Sequence, residues 1–378
     1  MLYMITQMNP KITNEFIHIT NKPGVGGIES LVNYLTKKKS LEFQNHNSFY
    51  LAKNQLEYIF LRNFVLREFL YIYKAVYLLK FTKMSNRQIV LFFHHPECHK
   101  FLVTFNSLNK IFLNIKTINV IYLHQSYSNL PKKMIKFTRH GLNVSHGVIC
   151  YSKKVLADWE NSLTLMPKNR FVLRNFVAPR RFSNKRNLNT KFFTLLYVGR
   201  NASWKQPELV LQFAKQIYKD TKIPIKVYFI GKGIKERIIN MTSSLQEESN
   251  PEFVLKYLPS VKNPIGFYTR SDLLVYPVDS SKSKESIGIS ALEALCSKMS
   301  VVVKNKSHTD YKISGIISMR EFRTLAKKSS IESLRKNLEG DSYHHKLWLH
   351  ECSPIKYVNQ LNDISNKLAF YCQTDLKK

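Results

Sequence analysis

The stretch Tyr276-Pro-Val-Asp-Ser-Ser-Lys-Ser-Lys-Glu285-Ser-Ile-Gly288-Ile289-Ser-Ala-Leu-Glu293-Ala-Leu-Cys296 carries the most information in the chain. An apolar run over residues 273–278 reads as a strand. A polar loop follows and ends at Glu285. An apolar helical pattern then begins near Gly288 and carries Glu293. The start of such a helix leaves backbone N–H groups free, and these suit a phosphate. One carboxylate precedes the helix and the other lies inside it. The pair could grip the hydroxyls of a sugar nucleotide whose diphosphate rests on the amides between them. Two Glu eight apart are common, so the spacing alone says no more than a helix with one acidic residue at its start and another on its surface.

The same strand–loop–helix grammar recurs along the chain. Short apolar runs at 16–20, 89–94, 120–124, 147–151, 171–173, 194–198, 226–230, 273–276 and 300–303 read as strands. Helical patterns at 28–36, 57–79, 207–218 and 287–297 lie between them. Strands alternating with helices predict parallel sheets with helices on both faces. The strands are apolar throughout, as parallel strands buried on both sides must be. The basic, polar stretch 178–190 reads as a linker. It separates a domain over 1–178 from one over 190–355, and a helix follows over 356–378. In open parallel sheets ligands bind at the carboxyl ends of strands, so the loops there are where chemistry is expected.

Composition excludes several classes. With 378 residues, 44% of them hydrophobic, the chain can bury two cores. Its most apolar stretch, 58–81, is broken by Arg62, Arg67, Glu68, Lys74 and Lys80, so no spanning helix is expected. The start of the chain lacks a basic region followed by an apolar run, so no signal peptide is expected. Five scattered Cys with no Cys-x-x-Cys predict reduced thiols and no structural zinc. The net charge of +32 is spread, with 25 basic and 8 acidic residues in 1–180 against 33 and 18 in the rest. Anionic membrane surfaces would attract such a chain. Nucleic acid is not an expected partner, because the aromatics fall inside apolar strands and helices rather than interleaving with basic residues on one face.

Three further clusters sit at expected strand ends. Asn21-Lys-Pro-Gly-Val-Gly26-Gly27-Ile-Glu29 is a glycine loop between the first strand and helix. Glycine there lets backbone approach a phosphate, although the loop is neither a Walker loop nor a full G-x-G-x-x-G. Arg200 and Lys205 follow the strand ending at Gly199, two cations apt for a diphosphate leaving group. His124 ends one strand, and His94 and His95 end another. A histidine so placed can bond a sugar hydroxyl or a backbone carbonyl. No His/Cys spacing suggests a metal.

Taken in order, these motifs resemble the GT-B glycosyltransferases, specifically the retaining glycosyltransferase family 4. Val198-Gly-Arg200-Asn-Ala-Ser-Trp-Lys205 resembles the family's Val-Gly-Arg-x4-Lys segment. Glu285 to Glu293 resembles its E-x7-E element. Phe229-Ile-Gly-Lys-Gly233 resembles its Gly-x-Gly turn, and Val172-Leu-Arg-Asn175-Phe-Val its domain-junction segment. Gly26-Gly27-Ile-Glu29, His124 and Val148-Ile-Cys-Tyr-Ser152 match more thinly in the first half. The resemblance implies two Rossmann-like domains facing across a cleft, with the C-terminal helix crossing back to the first domain. It implies that Gly26, Gly27, Arg200, Lys205, Gly288, Ile289 and Glu293 hold the donor, with Glu293 at the ribose. It also implies that His124 and Glu285 lie at the reacting sugar. The donor would be a UDP- or GDP-type sugar, with no further cofactor and no metal. The acceptor would be a glycan or a polyprenyl-diphosphate-linked glycan, in the assembly of bacterial capsule or O-antigen. Such an enzyme is expected in the cytoplasm, or peripherally on the inner face of the membrane. The chain departs from the family at Cys296-Ser-Lys-Met-Ser300, at Lys304-Asn-Lys, and at Phe176, where glycine is usual. Two other readings stay open: a basic non-catalytic binder of nucleic acid or membrane on a GT-B shell, and a GT-B nucleotide-sugar epimerase.

Overall fold

The structure is a computed structural model. It describes residues 14–21, 27–37, 46–51, 57, 64–85, 87–183, 185–241, 251–261, 263–279, 287–305, 315–327, 329–338 and 342–374. Glu285 and Gly26 lie outside the described residues.

The first half alternates strands and helices: β1 Asn14–Thr20, α1 Gly27–Lys37, β2 His46–Tyr50, α2 Phe64–Lys83, β3 Gln88–Phe93, α3 Pro96–Phe112, β4 Thr117–Leu123, α4 Lys132–Leu142, β5 Gly147–Cys150, α5 Lys153–Ser162 and β6 Arg170–Val172. Its six strands pair in parallel in the order β2-β1-β3-β4-β5-β6. Right-handed crossovers from β2 through β5 place α2, α3 and α4 side by side on one sheet face, and they send α1 to the other. The packing of α2 on α3 and of α3 on α4 agrees with this.

The second half repeats the plan: β7 Phe193–Val198, α6 Pro207–Thr221, β8 Ile225–Ile230, α7 Ile234–Met241, β9 Phe253–Leu258, α8 Ile265–Tyr268, β10 Leu273–Tyr276, α9 Ile289–Cys296, β11 Ser300–Val303, β12 Ile316–Ser318, α10 Met319–Ala326, α11 Ile331–Leu338 and α12 Ser342–Glu351. The order is β12-β11-β10-β7-β8-β9, again parallel throughout. Two separate clusters of buried side chains cover the two faces of this sheet. The last helix, α13 Pro354–Thr374, crosses back to the first half. Its Tyr357, Leu361 and Leu368 are buried in the first core, and Asn366 bonds Asn14 of β1.

The two sheets are the α/β, GT-B arrangement expected from the alternation of elements. The strands not expected from sequence are β2, β9 and β12. All three are edge strands; β2, with His46, Asn47 and Ser48, keeps polar residues because one side faces water, whereas β9 and β12 are mainly apolar.

The 57–79 pattern reads either as an amphipathic helix packed by its apolar face into the core or as one lying on a membrane. In α2 one apolar face, Leu70, Tyr71, Ala75, Leu78 and Leu79, packs into the first core. The charged Arg67 and Lys74 are buried beside it, and a second apolar face, Phe69, Ile72, Tyr73, Val76, Tyr77 and Phe81, points to solvent. The buried cations are tolerated because they are paired. Lys74 Nζ lies 2.7 Å from Glu57, and Arg67 and Lys100 both reach Glu68.

Candidate active site

Three loops of the second sheet meet at the carboxyl ends of β7, β8 and β10. The β7 loop turns at Gly199 and is pressed on β8: a Cβ at Gly231 would stand 1.8 Å from the Gly199 carbonyl, so only glycine fits. Arg200 leaves this loop into solvent with its guanidinium 5.6 Å from the centre of the Trp204 ring. A short 3-10 turn, Ser203–Lys205, then brings Lys205 back over the sheet. Its Nζ bonds the Tyr276 hydroxyl at 3.2 Å, 4.9 Å from the ring centre.

Tyr276 closes β10, and its hydroxyl is the link to α9. A Cβ at Gly288, the residue before the helix, would meet Tyr276 Oη at 2.5 Å. The absence of a side chain at Gly288 therefore lets the Tyr276 hydroxyl sit between the Lys205 ammonium and the first turn of α9. Gly288 is the N-cap and has no side chain to accept from the amides of the turn. The structure thus brings Lys205, Gly288 and Ile289 together, while Arg200 stays exposed on the β7 loop beside Trp204. Ile289 also packs against the core of the first half, so the start of α9 lies at the junction of the two sheets.

Glu293, one turn further in, is buried and engaged. One carboxylate oxygen accepts from Arg181 Nε at 2.7 Å and the other from the Tyr268 hydroxyl at 2.7 Å. Burial raises its carboxyl above the ordinary carboxylate value, and the Arg181 and Tyr268 bonds oppose that rise. Sequence reading missed both partners. Arg181 lies in the basic linker stretch and Tyr268 on a four-residue helix, and neither has a distinguishing pattern.

In the first half, His124 follows β4 and stacks on Tyr122 with rings 4.2 Å apart and 2° from parallel. It is the outer end of a row of four imidazoles. His124 Nε2 lies 2.9 Å from His94 Nδ1. His94 Nε2 lies 3.0 Å from His18 Nδ1, and His18 Nε2 lies 3.0 Å from His46 Nδ1. His18 and His46 were not singled out in the sequence, because they stand singly inside strands. Only the parallel register of β2, β1, β3 and β4 aligns them.

The row has a proton limit. Each of the three contacts holds one proton, and the two outer nitrogens hold one each at most. Four neutral rings already carry four protons, so an intact row accepts one more and no further. Burial lowers all four pKa values, that of His46 to about 4, and the neighbouring imidazoles lower His18, His94 and His124 further. His124 is therefore neutral at pH 7, and such a ring can meet a hydroxyl without adding charge. A small cavity opens beside it, lined by His94, His95, His99, Gln125 and Trp159 among others. Gly27 begins α1 on the other sheet face.

Among the described residues no group of His, Cys, Asp or Glu is arranged to hold a metal ion. Cys98, Cys150, Cys296 and Cys352 are buried thiols, none of them in a disulfide.

Comparison with known proteins agrees with the geometry. Residues 180–339 match the family model of glycosyl transferases group 1. No curated protein matches the chain. Solved structures of like fold include Anabaena HepE in complex with UDP, at 10% identity over 93% of this chain and 100% of that chain, with a TM-score of 0.66. The apo lipopolysaccharide outer core galactosyltransferase WaaB is similar at 11% identity, 94% and 99% coverage and a TM-score of 0.63. S. aureus TarM, as a mutant in complex with fondaparinux, α-GlcNAc-glycerol and UDP, shares 17% identity over 78% of this chain, with a TM-score of 0.52. The chain spans 58% of the length of that TarM chain. The fold is that of the GT-B glycosyltransferases, and the segment holding Arg200, Lys205, Gly288 and Glu293 is the one that matches glycosyl transferases group 1.

Proposed function

We propose that the chain is a glycosyltransferase that moves a sugar from a nucleoside diphosphate to a glycan or polyprenyl-diphosphate-linked glycan, with retention at the anomeric carbon. The observation that carries this is the approach of Lys205 to the first turn of α9 through the Tyr276 hydroxyl. The amides and dipole of that turn and the Lys205 ammonium suit a diphosphate, and Arg200, exposed on the same β7 loop, would join them on binding. As the bond from sugar to phosphate breaks, negative charge grows on the departing diphosphate, and these groups are aimed at that charge. The retaining course assigned here is a front-face displacement in which the leaving phosphate accepts the proton of the attacking hydroxyl.

Glu293 would take the ribose through lone pairs left over from Arg181 and Tyr268. Neutral His124 would bond a hydroxyl of the sugar, and Glu285 would lie near it. UDP-type donors are favoured by the ligands of the HepE and TarM structures. Surface polysaccharide assembly is favoured by the likeness to the lipopolysaccharide enzyme WaaB.

The test is incubation with UDP- and GDP-sugars and a panel of glycan and lipid-linked acceptors, with product analysis by mass spectrometry. Transfer with an α-linked product from an α-linked donor is the expected result. A rearranged nucleotide sugar formed without acceptor would identify an epimerase instead. No turnover and no nucleotide binding would leave a basic binding protein on a GT-B shell.

A further inference from the structure

The outward face of α2 is apolar over most of its 20 residues, although among the described residues nothing covers it. Phe69, Ile72, Tyr73, Val76, Tyr77 and Phe81 recur at spacings of three and four and form one stripe, each more than 40% exposed. Exposed single hydrophobics are ordinary, but a continuous helical stripe marks an interaction surface.

The charge around the stripe says what covers it. Glu68 and Glu97 are the only acids on α2, α3 and α4, and both are engaged, Glu68 with Lys100 and Glu97 with Asn21. Exposed cations surround them: Lys80 and Lys83 at the end of α2, and Lys132, Lys133, Lys136 and Arg139 on α4. Arg67 of α2 and Lys100 of α3 both lie over the Phe137 ring of α4, which holds the three helices as one platform. A second copy of this chain would bring +32 against +32. An anionic bilayer brings the opposite charge, an apolar layer for the stripe, and a headgroup region that suits Tyr73 and Tyr77. No helix of the described residues is long and apolar enough to cross a membrane. The outward stripe is therefore suited to lying along a surface rather than spanning it.

We propose that α2, flanked by the cationic face of α4, docks the first domain in-plane on an anionic lipid surface. The docking does not depend on the donor-site reading and is measured without nucleotide.

The test is flotation of the full chain with vesicles of phosphatidylcholine alone and of phosphatidylcholine with phosphatidylglycerol. Wild type should float with the anionic vesicles, weakly with the neutral ones, and less in high salt. The triple variant Phe69→Ser, Tyr73→Ser, Val76→Ser alters exposed side chains and should keep its circular dichroism melt. It should lose flotation at low salt. Lys132→Glu with Lys133→Glu should weaken vesicle binding by about fivefold or more per charge, since a cation at an anionic surface is worth about 1 kcal/mol. Flotation unchanged in the serine triple would overturn the proposal, as would a concentration-dependent dimer, seen by analytical ultracentrifugation, that the triple abolishes.

Discussion

Acid should unfold the first domain before the second. His18, His46, His94 and His99 are buried, and burial holds each pKa below its ordinary value of 6.5, at about 4 for His46 and about 3 for His99. His99 is pinned between the Phe93 carbonyl at 3.0 Å, which requires an N–H at Nε2, and the Thr138 hydroxyl at 2.9 Å. The other three belong to a row that takes up one proton at most while intact. In the unfolded chain all four titrate near 6.5. The unfolded state therefore binds more protons below that pH, and stability falls as pH falls from 6.5 toward the folded values. Each pH unit costs about 1.4 kcal/mol per ring, so at pH 5 each ring costs roughly 2 kcal/mol. Four rings together cost roughly 8 kcal/mol, comparable with the whole stability of a domain. Glu293 in the second domain has the opposite sign. Its raised carboxyl contributes stability that is present at low pH and lost as pH rises. Hydrogen exchange read by mass spectrometry over β3 and β4, corrected for the intrinsic pH dependence, should show protection collapsing between pH 6 and 5 while β10 stays protected. His99→Gln keeps a donor for Phe93 and an acceptor for Thr138, and should lower the slope by about 1.4 kcal/mol per pH unit. Flat protection of β3 from pH 7.5 to 5, or an unchanged slope in the variant, would refute the reasoning.

Two further outcomes follow from contacts at the candidate site and behind it. Gly288→Ala puts a methyl group where Tyr276 Oη stands, breaks the Lys205 bond, and should cost about 1–3 kcal/mol by calorimetric melting. Tyr276→Phe in the same chain should recover part of that loss, and a melt of Gly288→Ala equal to wild type would place the hydroxyl elsewhere. Asp272 is buried and accepts from Arg335 at 2.7 and 3.2 Å and from the Thr194 amide at 2.7 Å. Asp272→Asn should cost about 3 kcal/mol and lower the melting temperature of the second domain by roughly 6–12 °C.

The fold was legible because buried parallel strands are apolar from end to end. The 273–276 and 300–303 runs coincide with β10 and β11. The strand His46-Asn-Ser-Phe-Tyr50 was not, since an edge strand need not be apolar. For α2, apolar residues stand on both faces, so the sequence pattern did not say which face would be buried. That depends on Glu57 and Glu68 neutralising the inward cations, contacts that no local pattern reveals. The site divides in the same way. Arg200, Lys205 and Gly288 were visible as residue types at strand and helix ends. Tyr276 as their connector, and Arg181 and Tyr268 as the partners of Glu293, arise only from the juxtaposition of separate loops. The histidine row is the clearest case. His18 and His46 are 28 residues apart and become neighbours only through the register of two parallel strands.

The donor site is tested most directly by titration calorimetry of UDP and GDP against wild type and Lys205→Ala. One nucleoside diphosphate should bind the wild type. The variant should bind it about 10- to 100-fold more weakly, the loss of one charge-assisted bond to phosphate. Binding of neither nucleotide, or equal affinity in the variant, would contradict the account.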